Sequence, residues 1–176
     1  MTYDRSTAIH EAGHVVACLE LDVAFDLISV VARDCLAGRV GVEGDDGFFI
    51  PPGTDPNSPE NERGFRAWAE RQAIIDYAGH AALVALLGAG DMSHRSAVES
   101  GAGPDYKKAS RRLGHNRRRM AAAKSRAIEI VQNRADHVRE IAQWLVEHGT
   151  LDEQCVDVLL EAGASGLERW LEARRP

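Results

Sequence analysis

The sequence predicts an α+β protein that is predominantly α-helical: a motif-bearing first helix, a small β-hairpin or sheet, and a bundle of long helices. Three features predict it. Apolar residues recur at helical spacing over Ala8, Ile9, Ala12, Val16 and Leu19. Two short β-branched runs follow, at 27–32 and 39–43. Beyond residue 60, long amphipathic stretches dominate.

The first helix is expected from about Asp4 to Glu20, with Asp4 or Ser6 as cap. The two β-branched runs read as a hairpin turning at or near Gly38. Residues 44–63 hold three glycines and Pro51, Pro52, Pro56 and Pro59, a composition expected of an exposed, flexible loop. A long helix follows over about 60–87, with Phe65, Trp68, Ala69, Ile75, Ala78 and Ala82 on its apolar side. The stretch 88–103 reads as glycine- and serine-rich connection, and Gly103-Pro104-Asp105 as a helix start, because proline suits a first turn. Another helix is expected over about 118–147, with Ile128, Val131, Val138, Ile141, Ala142 and Leu145 in one stripe. Gly149 stops it, and Thr150 with Glu153 has the spacing of a capping box opening a helix to about Ala162. The tail from Gly163 adds a turn around Trp170.

The chain of 176 residues is long enough to bury its own core as a single domain over 1–176. Its net charge of −6 argues against a nucleic-acid partner, which calls for a basic excess. Cys18, Cys35 and Cys155 are odd in number and lack a Cys-x-x-Cys pair, as expected of reduced thiols in a cytoplasmic protein. Neither a signal peptide nor an apolar run near the ~18 residues of a membrane span is visible, so the expectation is a soluble protein with no membrane partner.

The chemistry concentrates at His10-Glu11-Ala12-Gly13-His14, an HExxH motif inside the first helix. Residues four apart share a helix face, so both imidazoles reach one Zn2+ ion. Glu11 points aside, where it holds a metal-bound water and takes its proton during attack on a carbonyl. A catalytic zinc needs a third protein ligand. The nearby extension HExxHxxGxxH is absent, with Ala17 and Glu20 at its key positions. Glu20 lies off the face of His14. Asp105 is better placed, in the first turn of a helix where the macrodipole favours an ionised carboxylate, but for a single first-turn Asp taken alone helix-start electrostatics is the favoured explanation. Cys18, one turn past His14, is a further conceivable ligand, although a buried core thiol is the favoured reading.

Several segments in order resemble the peptidase domain of the FtsH-type zinc metalloproteases, the membrane-bound AAA proteases. His10-Glu11-Ala12-Gly13-His14-Val15-Val16 resembles that family's HEAGHA helix, and the runs 27–31 and 38–41 its following hairpin. Tyr77-Ala78-Gly79-His80-Ala81-Ala82 is similar in part to its L-x-G-R-x-A-E-E helix. Gly101-Ala102-Gly103-Pro104-Asp105-Tyr106 resembles the segment whose Asp is the third zinc ligand, and 133–145 with Thr150-Leu151-Asp152 resembles the family's ending. The resemblance covers roughly Thr7 to Leu160 and implies that Asp105 completes the metal site. Three departures go with it. Leu83 and Val84 stand where the family usually carries glutamates, the segment before the Ile128 helix is shorter, and no ATPase module or membrane segment is seen. The expectation is a stand-alone, trimmed, ATP-independent relative whose oligomeric state is open.

The reading these motifs imply is a zinc metalloendopeptidase acting on unfolded or flexible polypeptide, or on material from a separate AAA unfoldase, with Glu11 as base and His10, His14 and Asp105 as metal ligands. Two alternatives stay open: a catalytically weak or inactive zinc-binding adaptor or regulator, and a regulatory peptidase specific for one partner. His80 and His94 are candidates for oxyanion stabilisation or proton donation, but nothing in the spacing points them at zinc, and surface or hydrogen-bonded structural histidines are the favoured reading. The arginines at 111, 112, 117, 118 and 119 read as a solvated face, Trp68 and Trp144 as core, and the 39–43 run either as an ordinary strand or as an edge open to an extended peptide.

Overall fold

The computed structural model describes residues 3–31, 39–42, 47–50 and 52–174. The expected hairpin turn at Gly38, Cys35, residue 43 at the end of the second β-branched run, and residues 44–46 and 51 of the expected loop lie outside them.

Helix α1 (Arg5–Glu20) begins where the sequence places it, because the Asp4 carboxylate accepts from the Thr7 amide at 2.7 Å. Ten of its residues are buried, among them Glu11 and His14, so it is a central helix rather than a surface one. It packs chiefly on α2 (Pro59–Leu87) and α6 (Ala135–His148). The α1–α2 contact depends on Gly13, since an added Cβ would lie 2.6 Å from the Ala78 carbonyl oxygen and 2.8 Å from the Ala82 Cβ. Ala8, Ala12, Ala78 and Ala81 on the two helices are all buried.

Strands β1 (Phe25–Ser29) and β2 (Arg39–Val42) pair antiparallel, with Ile28 opposite Val40. A third strand, β3 (Thr150–Asp152), pairs with the other edge of β1 and places Leu151 opposite Ile28. The order is therefore β2-β1-β3, and among the described residues β2 is an edge. Ile28 is fully buried, a burial worth about 1.5–3 kcal/mol. The expected capping box at Thr150 is corrected here: Thr150 is a strand residue, and the cap of α7 (Glu153–Glu172) is Asp152, which accepts from the Cys155 amide at 2.7 Å. Gly163, at φ 68° and ψ 178°, kinks α7 where the sequence suggested an end.

The long helix α2 starts at Pro59 behind the Ser58 cap and ends at the left-handed Gly88. Five of the residues assigned to the preceding loop, 59–63, belong to its start. The connection 88–102 contains a short helix, α3 (His94–Glu99), that the sequence did not reveal. Helix α4 (Gly103–Arg112) begins as expected. The helix expected over 118–147 is two: α5 (Arg117–Asn133) and α6, broken at Arg134. Val131 and Val138 are both fully buried and seven residues apart, which keeps the apolar stripe in phase and hides the break. The Arg134 guanidinium at the break reaches Glu20 at 3.0 Å. The architecture is α+β and predominantly helical. Among the described residues no helix is long and apolar enough to cross a membrane.

Candidate metal centre

α1 brings His10 and His14 onto one face, their rings edge-to-face with centroids 4.6 Å apart. α4 presents Asp105 to the same place from a distant part of the chain. The Asp105 Oδ2 atom lies 3.0 Å from His10 Nε2 and 3.5 Å from His14 Nε2, and the two Nε2 atoms are 3.0 Å apart. Zinc bonds of about 2.0–2.1 Å in a tetrahedron set neighbouring ligand atoms about 3.3–3.4 Å apart, close to this triangle.

The donor set fits a cation on its hydrogen bonding as well. His14 Nδ1 is 2.7 Å from the Ile75 carbonyl oxygen. A carbonyl only accepts, so Nδ1 carries the proton, and Nε2 of the neutral ring carries a lone pair. That lone pair faces His10 Nε2 and an anionic carboxylate oxygen. Three atoms with acceptor character converge, and one proton on His10 cannot serve both partners well. Either an extra proton or a metal ion resolves the repulsion.

The electrostatics express the same demand. Burial works to lower the basicity of His14, but the hydrogen bond and charge of Asp105, with Glu11 behind it, push its pKa up to about 9. Burial works to raise Asp105, but its bonds to His10 and His14 hold the carboxyl well below the usual carboxylate range. Glu11 is 6% exposed. Burial raises its pKa against the pull of His14 and His10, with Asp105 adding to the rise.

Gly79 was quoted in the sequence only as part of a motif, and the structure gives it a specific task. A Cβ there would stand 2.6 Å from His14 Nε2, 2.7 Å from His10 Cε1 and 2.8 Å from His10 Nδ1. α2 therefore lies directly against the two rings, and only glycine leaves them room. The available signal was a glycine inside an alanine-rich helix, where it costs roughly 0.5–1 kcal/mol relative to alanine and so calls for a reason.

Other expected candidates fall elsewhere. Glu20 pairs with Arg126 and Arg134 at 3.3 and 3.0 Å. Cys18 is fully buried in the core, and burial pushes its thiol up to about 12. His94 is exposed, edge-on to Tyr106 at 5.4 Å. His80 is buried and has partners at both nitrogens, Asp91 and Ser100. Arg112 is not a free surface arginine: it reaches Gln72 at 3.2 Å and the buried Asp76 at 3.0 Å. Arg111, Arg117 and Arg118 are exposed. Trp144 is buried as expected, whereas Trp68 is half-buried in an aromatic cluster with Phe48 and Phe65, at 6.3 and 5.5 Å.

The fold and the site together define a predominantly helical α+β protein with a His-His-Asp cluster formed between α1 and α4. Neither models of protein families nor curated proteins give a match to the chain.

Proposed function

We propose that the chain is a zinc-dependent peptidase of FtsH-like type, with His10, His14 and Asp105 holding the ion and Glu11 acting as general base. The observation that carries the reading is the triangle of Nε2, Nε2 and Oδ2 atoms at 3.0–3.5 Å. Zinc bound there supplies Lewis acidity toward a carbonyl and makes water acidic enough to lose a proton near neutral pH. The protein's share is positional and basic. His14 is oriented by the Ile75 carbonyl, which fixes the tautomer a ligand needs. Asp105 keeps its negative charge, so the ligand set is monoanionic and leaves net positive charge on a divalent ion.

Glu11 neighbours His10 in sequence and stands three residues, about one helical turn, before His14 on α1. Its raised pKa suits a carboxylate that accepts the proton of the attacking water and returns it to the departing amine nitrogen. The substrates this implies are unfolded or flexible polypeptide segments, including segments delivered by a separate unfoldase.

Digestion of casein or a flexible peptide, with and without chelator, tests the reading. Wild type cleaves and chelator stops it, and Glu11→Gln retains zinc but loses cleavage by on the order of 100-fold or more. Cleavage that survives in Glu11→Gln overturns the mechanism. Zinc retention without any cleavage, across general and partner substrates, favours a binding module instead.

A further inference from the structure

The two histidines at the site come from one helix, but Asp105 arrives through the connection 88–102, which has little rigidity of its own. Gly88, Gly90 and Gly101 sit at φ of 65°, 81° and 84°, the left-handed region where glycine is at ease. The helix inside this connection, α3, has six residues.

What fastens the connection to α2 is His80. Its ring is 1% exposed. Nε2 lies 2.8 Å from the Asp91 carbonyl oxygen and donates to it. Nδ1 is then the acceptor, 3.0 Å from Ser100 Oγ, whose single proton it shares with the Ala97 carbonyl at 3.2 Å. Asp91 precedes α3, and Ser100 is its C-cap, so one imidazole holds both ends of the short helix. Two further bonds brace the connection on itself and on α4. Ser96 donates to the Ala89 carbonyl at 2.8 Å, and Tyr106 on α4 donates to the Met92 carbonyl at 2.7 Å.

His80 also follows Gly79, the residue against which the His10 and His14 rings rest. The same turn of α2 therefore seats two imidazoles and anchors the segment that delivers the carboxylate. We infer that His80 is a positioning residue for the metal centre, fixing the 88–102 connection so that Asp105 stands within ligand distance of His10 and His14. The inference rests on the metal reading above and goes beyond it by assigning a residue that is not itself a ligand.

The test is zinc affinity, measured by competition with a chromophoric chelator, together with the cobalt(II) absorption spectrum of the substituted protein. Wild type is set beside His80→Ala, His80→Gln, Ser100→Ala and, as reference, Asp105→Asn. His80→Ala is expected to bind zinc about 10–100-fold more weakly, with its cobalt spectrum displaced in the direction seen for Asp105→Asn. A residue that merely stabilised the fold would leave that spectrum alone. His80→Gln, whose amide still donates to Asp91, recovers part of the affinity. Ser100→Ala, which removes a half-buried hydroxyl, shows a smaller loss of the same sign.

A folded His80→Ala with wild-type affinity and spectrum overturns the inference. If that variant does not fold, unchanged affinity and spectrum in Ser100→Ala overturn it. Wild type that takes up no metal overturns the metal reading and the inference together, whereas wild type that binds metal without cleaving peptides leaves the positioning role intact.

Discussion

His14 and His80 are both buried imidazoles at the packed centre of the molecule, and they differ in what their nitrogens face. His80 has a carbonyl on one side and a hydroxyl on the other, so a neutral ring satisfies both. His14 has a carbonyl on one side, but on the other a second imidazole and a carboxylate. With neutral rings, that second face has one proton, on His10, for two acceptors, and added positive charge balances it. Burial and histidine content do not mark a metal centre, since His80 has both. An excess of acceptors around a shared point is what sets the candidate centre apart from His80.

The largest expected effect separates the two histidines through the glycine between α2 and the rings. Gly79→Ala drives a methyl into His10 and His14 without touching the partners of His80. Zinc affinity in a chelator competition should fall on the order of 100-fold or more. An ordinary helix-interior Gly→Ala change would instead add roughly 0.5–1 kcal/mol of stability. A Gly79→Ala variant with wild-type affinity would show that the rings are not held against α2.

Protonation gives the next contrast, with opposite signs. In metal-free protein the His14 pKa lies above its ordinary 6.5, at about 9. Its contribution to stability is fully present below pH 6.5 and is lost as pH rises to about 9. His80 is held below its ordinary value, by burial first, so its contribution is present above pH 6.5 and is lost on acidification. Denaturant midpoints in chelator should therefore fall on the alkaline side through the His14 group. Zinc should reverse that trend, because metal must displace the proton and binds more tightly as pH rises. Identical pH profiles with and without zinc would contradict the linkage.

The smallest effect is expected at His94. It is exposed and outside the donor triangle, so His94→Ala should change stability by no more than about 0.5 kcal/mol and leave zinc content unchanged. A loss of metal there would widen the site beyond the three ligands.

The same contrast explains what the sequence made legible. His10, Glu11 and His14 are readable because their geometry is local: a spacing of four on a helix is enough. Asp105 is 95 residues from His10, and its residue-level signal matched any first-turn Asp; only the resemblance of its flanking segment pointed to it. Gly79 and His80 act through contacts between α2 and its neighbours, which no spacing encodes. The missed elements have similar causes. β3 is three residues long and has no periodic signature, and α3 spans under two turns. The break at Arg134 falls between stripes that stay in phase, without glycine or proline to announce it. Caps and glycine stops, by contrast, were readable at Asp4 and Gly149, because their chemistry lies within a turn of the residue concerned.

The central claim is that one divalent ion is shared by two α1 imidazoles and the α4 carboxylate. Its most direct test is elemental analysis of zinc in the dialysed wild-type protein beside Asp105→Ala. One zinc per wild-type chain, with little or none retained by the folded variant, is the predicted result. No zinc in wild type, or equal zinc in both proteins, would contradict it.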